Sequence, residues 1–104
     1  MKIYATIGGE PNKWVVDFGG TYIYDKMVNG KMSWIKSGGQ AIWYYPQFKE
    51  WAFGNEDKIG TNWRHITSES LSMCPYNANN DWVYWNFNKW ISTNEVKVEC
   101  GGNY

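Results

Sequence analysis

The chain has 104 residues, and ten Lys or Arg balance ten Asp or Glu, so its formal net charge is zero. That length makes residues 1–104 a single domain, able to bury roughly two thirds of its unfolded surface without a metal or a cofactor. A neutral chain has no summed field to draw it to phosphate backbones or acidic lipids, and no apolar run approaches the roughly 18–20 residues of a bilayer span, so neither nucleic acid nor membrane is expected as a partner.

Residues 1–4 lack the apolar core and small-residue cleavage site of a signal peptide, so the chain reads as cytosolic or as one that has lost a leader; its localisation stays open. From there the pattern is period two, with turn signals every eight to twelve residues and no capped 3.6-residue period. The clearest unit runs 21–28, Asn29-Gly30, then 31–36. An Asn-Gly pair between two alternating runs specifies a type I′ hairpin, because both turn residues need positive φ. Residues 37–39, Ser-Gly-Gly, turn the chain into a strand over 40–45, which Pro46 ends because it has no amide to give the ladder.

A short strand is expected at 51–53, a loop at 54–60, strands at 62–66 and 70–73, and a second loop, rich in Asn, at 75–81. The last stretch reads as strands at 82–85 and 95–100, with 86–90 as the bend between them. Nine or so short strands make the class all-β: a single small antiparallel barrel or a two-sheet sandwich, with edges closed or covered in either case.

The order Gly20-Thr21-Tyr22, Val28-Asn29-Gly30-Lys31, Trp34, Ile42-Trp43-Tyr44-Tyr45, Trp51 with Gly54, Cys74-Pro75, Trp82-Val83-Tyr84-Trp85, Trp90 and Val96-Lys97-Val98 with Cys100 resembles a small Trp-rich module. That module is repeated in multidomain extracellular proteins of invertebrates. The resemblance covers residues 18–100 and leaves 1–17 outside the pattern. It implies an extracellular adhesion or ligand-binding module with a Cys74–Cys100 bridge, and no biochemical activity comes with it. From the residues alone, two cysteines 26 apart exclude the paired spacings of a zinc site and leave either one disulfide or two buried thiols.

Catalytic signals are sparse. His65 is the one histidine, and a triad built from it with Ser68 or Ser70 and Asp57 or Asp81 has no strand-turn-helix elbow to fix it; His65 reads as a strand residue at the rim. Paired carboxylates drawn from Glu50, Glu56, Asp57 and Asp81 would suit a small glycan-active enzyme only at a separation of about 5–9 Å, which sequence does not supply. Residues 77–81 offer oxygens for calcium but a single carboxylate, and Asn-rich turns form without a metal. The glycine pairs at 8–9, 19–20, 38–39 and 101–102 open no helix and read as turns or bulges, not phosphate cradles. A nucleic-acid platform of the OB type would need a basic groove, for which Lys31, Lys36, Lys49 and Arg64 are the candidates.

The aromatic content is what remains. Eight Trp, eight Tyr and four Phe make up 19% of the chain. At roughly 150–250 Å² each they would bury on the order of 4,000 Å², which the core of such a domain can hold. Alternation nevertheless sets Trp43 and Tyr45 against Ile42 and Tyr44, and Trp82 and Tyr84 against Val83 and Trp85, so one set of large rings must leave the main core. At least three of Trp34, Trp43, Tyr45, Trp51, Trp82 and Trp85 are therefore expected to be partly exposed and close together. The implied function is a non-catalytic binding module for a glycan or a protein ligand. Self-assembly into a homo-oligomer through the aromatic face is the alternative.

Overall fold

A computed structural model describes residues 2–7, 17–69, 75, 82–93 and 96–100. The protein is all-β, and the described residues form one nearly closed antiparallel sheet of nine strands. These are β1 (Lys2–Ile7), β2 (Gly20–Val28), β3 (Lys31–Lys36), β4 (Gln40–Tyr45), β5 (Glu50–Asn55), β6 (Ile66–Glu69), β7 (Trp82–Trp85), β8 (Trp90–Thr93) and β9 (Val96–Cys100). Strands β1 to β8 follow one another as a meander, and β9 pairs with β1. A 3-10 turn at Glu56–Lys58 interrupts the β5–β6 connection. Among the described residues no helix is long and apolar enough to cross a membrane.

The connectivity selects the barrel over the sandwich. β8 and β9 are the two edges of the sheet. Thr93 and Val96 are three peptide units apart, so their Cα atoms lie within about 11 Å. Flat, nine strands at about 4.8 Å spacing would hold those edges roughly 38 Å apart. The sheet must therefore curl until its edges nearly meet.

The hairpin sits where the sequence puts it, with Asn29 at φ 54° and Gly30 at φ 85°, the pair of positive angles a type I′ turn requires. The Asn29 amide donates from Nδ2 to the Tyr44 carbonyl at 2.8 Å, tying the hairpin tip to the end of β4. Elsewhere the reading is corrected. Strand β1 lies in the stretch left outside the resemblance, residues 62–65 are not strand, and part of the supposed bend at 86–90 begins β8. β9 does not return beside β7, because β8 takes that edge and β9 crosses to β1. The strand expected at 70–73, the loop at 77–81 with its calcium reading, Ser70, Cys74, Asp81 and the glycine pairs 8–9 and 101–102 lie outside the described residues.

Two cores follow from the alternation. Inside the barrel, Ile3, Tyr22, Trp34, Ile42, Tyr44, Trp51, Phe53, Ile66, Trp82 and Tyr84 form one cluster. Its rings interlock at 5.3–5.8 Å, with Tyr44 against Trp51, Trp51 against Trp34, and Tyr22 and Trp82 each edge-on to Phe53. Such offset and edge-to-face contacts add about 0.5–1.5 kcal/mol per pair beyond the area they bury. Phe18 packs at one end of this core on Phe53 and His65, and its carbonyl accepts the Tyr22 hydroxyl at 2.7 Å. The second core is on the outer face of β4 and β5, where Ala41, Trp43 and Ala52 are buried with Val28, Ile35 and Ile59 packed around them.

Candidate functional site

Four of the six expected ligand-binding rings are not on the surface. Trp34, Trp43 and Trp51 are fully buried and Trp82 is 4% exposed. Trp34, Trp51 and Trp82 point into the barrel, where their indoles are needed to fill it. Trp43 does take the outer face, as the alternation requires, but the loop after β5 covers it. Its Nε1 donates to the Thr61 carbonyl at 3.1 Å, and the ring lies over Gly54. The expectation that at least three of the six would be exposed together therefore fails. Only Tyr45 and Trp85 keep partial exposure.

Those two rings mark the ends of a different arrangement. Tyr45 packs edge-on against Phe48 at 5.3 Å, in the turn between β4 and β5. The Arg64 guanidinium lies over Phe48 at 5.1 Å and over Trp90 at 5.2 Å. Trp90 in turn meets its cross-strand partner Trp85 at 5.4 Å. Flat groups thus run without a break from the β4–β5 turn to the β7–β8 hairpin, with a cation between two rings at its centre.

Beside the Trp85–Trp90 pair a cleft of about 440 Å³ opens, lined by Asn62, Trp63, Arg64, His65, Trp85, Phe87 and Trp90. Trp63 is 71% exposed, Phe87 58% and Trp90 39%. Local structure presents each ring. Trp63 follows a turn in which Thr61 Oγ1 accepts the Trp63 amide and donates to the Lys58 carbonyl, and Lys58 Nζ sits 5.5 Å over the indole. Phe87 is at the tip of a four-residue turn, residues 86–89, that Asn86 closes by accepting the amides of Asn88 and Lys89 on Oδ1. The Phe87 backbone is left-handed, at φ 72°, a conformation that costs a side-chain-bearing residue about 1–2 kcal/mol. Strain of this kind persists where the fold over-determines it, and it clusters at binding sites.

The polar groups of the cleft are largely committed. Arg64 donates from Nε to Glu50 Oε1 at 3.0 Å, and Nη2 is 3.0 Å from the same oxygen. Its Nη1 donates to the Asn62 carbonyl at 3.1 Å and to Asn62 Oδ1. His65 is half-buried beside Phe18, and burial pushes its pKa below the ordinary imidazole value, so it is neutral near pH 7. Its backbone links β5 to β7, donating to the Phe53 carbonyl and accepting from Trp85.

The remaining candidates do not converge on the cleft. Glu56 and Asp57 are exposed in the 3-10 turn, while Glu50 is held by Arg64. Of the supposed basic groove, Lys31 lies over the Tyr44 ring and Lys36 donates to Gln40, on the other side of the sheet order from Arg64. Among the described residues no group of three His, Cys, Asp or Glu is placed to hold a metal ion. Of the glycine pairs, Gly38 and Gly39 lie in the β3–β4 turn with positive φ, whereas Gly20, also at positive φ, opens β2. Comparison with known proteins finds no matching family model, no matching curated protein and no matching solved structure.

Proposed function

We propose that the protein is a non-catalytic binding module that takes a carbohydrate in the cleft between the β5–β6 loop and the β7–β8 hairpin. The observation that carries this reading is the convergence of Trp63, Trp85, Phe87 and Trp90 on one cleft, three of them exposed where most of the other large rings among the described residues are buried. Exposed rings of this size suit a ligand with apolar C–H faces and hydroxyl groups, and about 440 Å³ is toward the small end of the roughly 300–1,000 Å³ typical of ligand sites. Cationic ligands are disfavoured, since Lys58 and Arg64 already occupy ring faces of Trp63 and Trp90.

The test is a glycan array with the free protein, followed by calorimetry on wild type, Trp85→Ala and a surface control, Lys97→Ala. Each stacking ring should contribute roughly 1–3 kcal/mol, as at interface hot spots, so Trp85→Ala abolishes binding and Lys97→Ala leaves it intact. Equal binding by both variants, or no glycan bound at all, overturns the reading.

The Cys74–Cys100 bridge and the relation to the repeated Trp-rich extracellular module belong to the same proposal. Closing a loop of that length would stabilise the domain by about 3–4 kcal/mol in the chain-entropy model. Two titratable thiols in the native, non-reduced protein would remove the bridge. Self-assembly is the second reading, favoured by Ile23, Tyr24 and Met27, three large apolar residues each left exposed in β2. Sedimentation at rising concentration tests it: a mass that stays at one chain excludes it.

A further inference from the structure

We infer that the Glu50–Arg64 pair makes this cleft selective for neutral glycans over acidic ones, an inference that rests on the carbohydrate reading above. Arg64 lines the cleft and lies between Phe48 and Trp90, so a ligand in the cleft meets its guanidinium edge. A free guanidinium there would recognise a carboxylate in bidentate fashion, and a site built that way prefers uronic or sialic acid residues. This guanidinium is not free. Its Nε and Nη2 are turned to Glu50 Oε1 and its Nη1 to both oxygens of Asn62, which leaves one Nη2–H for a ligand.

The Glu50 carboxylate also cancels the charge. Its side chain keeps 20% exposure and that of Arg64 12%, so both groups are largely shielded and their attraction is screened less than that of a surface pair. An incoming carboxylate would have to displace Glu50 or accept a single contact beside an existing negative charge. Across the β5–β6 ladder, Glu69 stands directly opposite Glu50. Arg64 is the one Lys or Arg among the residues that line the cleft, and Lys58 carries its charge over the Trp63 ring. His65 is neutral near pH 7. An acidic sugar thus meets the Glu50 charge with no free bidentate partner, whereas a neutral sugar meets rings, one guanidinium N–H and the Asn62 side chain.

Selectivity of this kind is a difference of affinities that depends on a repulsive element as much as on an attractive one. Removing the Glu50 charge should convert the preference. The experiment measures binding of chitotetraose, cellotetraose and maltotetraose as neutral probes, and of hyaluronan tetrasaccharide and trigalacturonate as acidic ones. Wild type, Glu50→Gln and Glu50→Gln/Glu69→Gln are compared, the double variant because Glu69 stands where it can take over Arg64. Circular dichroism confirms that each variant is folded.

Wild type is expected to bind at least one neutral probe about tenfold or more tighter than either acidic probe. The variants should gain about tenfold or more for an acidic probe, with a salt dependence that wild type lacks, while holding their neutral affinity within about threefold. Wild type binding acidic and neutral probes equally overturns the assignment to Glu50–Arg64 while leaving the carbohydrate reading intact. So does a folded double variant that gains nothing for acidic probes. Failure of all five probes with wild type overturns the carbohydrate reading itself, and this inference with it.

Discussion

Gly54→Ala is the sharpest test of how the outer core is built. Gly54 lies on the outer face of β5, and a Cβ at this position would come within 2.4 Å of the Trp43 ring and 2.9 Å of the Trp63 carbonyl oxygen. Both approaches are closer than folded proteins tolerate, and both neighbours are constrained. The Trp43 indole is fully buried and holds the Thr61 carbonyl through Nε1, while the Trp63 oxygen is backbone. Overpacking of this kind costs about 1–3 kcal/mol. If the indole tilts away, it also gives up a buried hydrogen bond contributing about 1 kcal/mol. The expected destabilisation is therefore about 2–4 kcal/mol, a large share of the 5–15 kcal/mol of a domain this size.

Thermal and urea unfolding read it directly, as a fall in Tm of roughly 10–25 °C. A double-mutant cycle separates the clash from any general effect on the strand. Trp43→Leu alone leaves a void and destabilises, but in the Gly54→Ala background the smaller side chain also removes the collision, so the two costs should sum to clearly more than the double variant shows. Additive costs, or a Gly54→Ala protein that melts with wild type, would refute the seating of Trp43 on Gly54. Because the Trp63 carbonyl is the second obstacle, any Gly54→Ala protein that stays folded should also bind ligand more weakly.

Three further outcomes are expected. Gly30→Ala meets no neighbouring atom within 4 Å but sits at φ 85°, so it should cost about 1 kcal/mol through backbone conformation alone, and an unchanged melting point would remove the type I′ turn. Phe87→Gly should leave stability level or raise it by up to about 1 kcal/mol, since relief of the left-handed strain offsets the greater chain entropy of glycine, while ligand affinity falls tenfold or more; a destabilised variant with intact binding contradicts both halves. Burial lowers the folded-state pKa of His65 below the ordinary imidazole value of 6.5, so the unfolded chain binds the proton more readily and stability is lost as pH falls from about 6.5 through the folded-state value. His65→Gln should flatten that part of the stability–pH curve, and an unaltered slope would show that another group carries it.

The sequence foretells the parts of the fold that are decided locally. Asn29-Gly30 has one good use between two alternating runs, and β4 occupies 40–45 as expected because Gly38-Gly39 starts it and Pro46 stops it. Nonlocal pairing is another matter. Ile3, Ala5 and Ile7 alternate as β1 requires, but nothing in those residues says that Val96–Cys100 will lie against them. The β7–β8 turn is similarly ambiguous: Asn86 closes it with two side-chain hydrogen bonds, and an Asx turn of this kind is compatible with a hairpin or with a wider bend. Treating 86–90 as a bend hides the strand that begins at Trp90, and with it the reason that β9 must cross to the far edge.

The site was less legible than the fold, for a reason that lies in what alternation measures. Period two assigns a side chain to a face, and here it does so correctly: Ile42 and Tyr44 go in and Trp43 goes out, as do Trp82 and Tyr84 against Trp85. It does not say whether a face is covered, and the loop carrying Thr61 turns the outer face under Trp43 into a second core. Exposure is decided by the returning chain, so the rings to weigh are those that no strand face claims. Trp63 and Phe87 are in turns, flanked by Asn62 and by Asn86 and Asn88, and Trp90 opens a strand at the edge of the sheet. A turn aromatic has no opposing sheet to bury it, and an edge-strand aromatic has a neighbour on one side only. In a chain whose strands already hold enough rings to fill the barrel, a further Trp or Phe set among Asn residues in a turn stays at the surface, which is where the proposed binding reading uses Trp63 and Phe87.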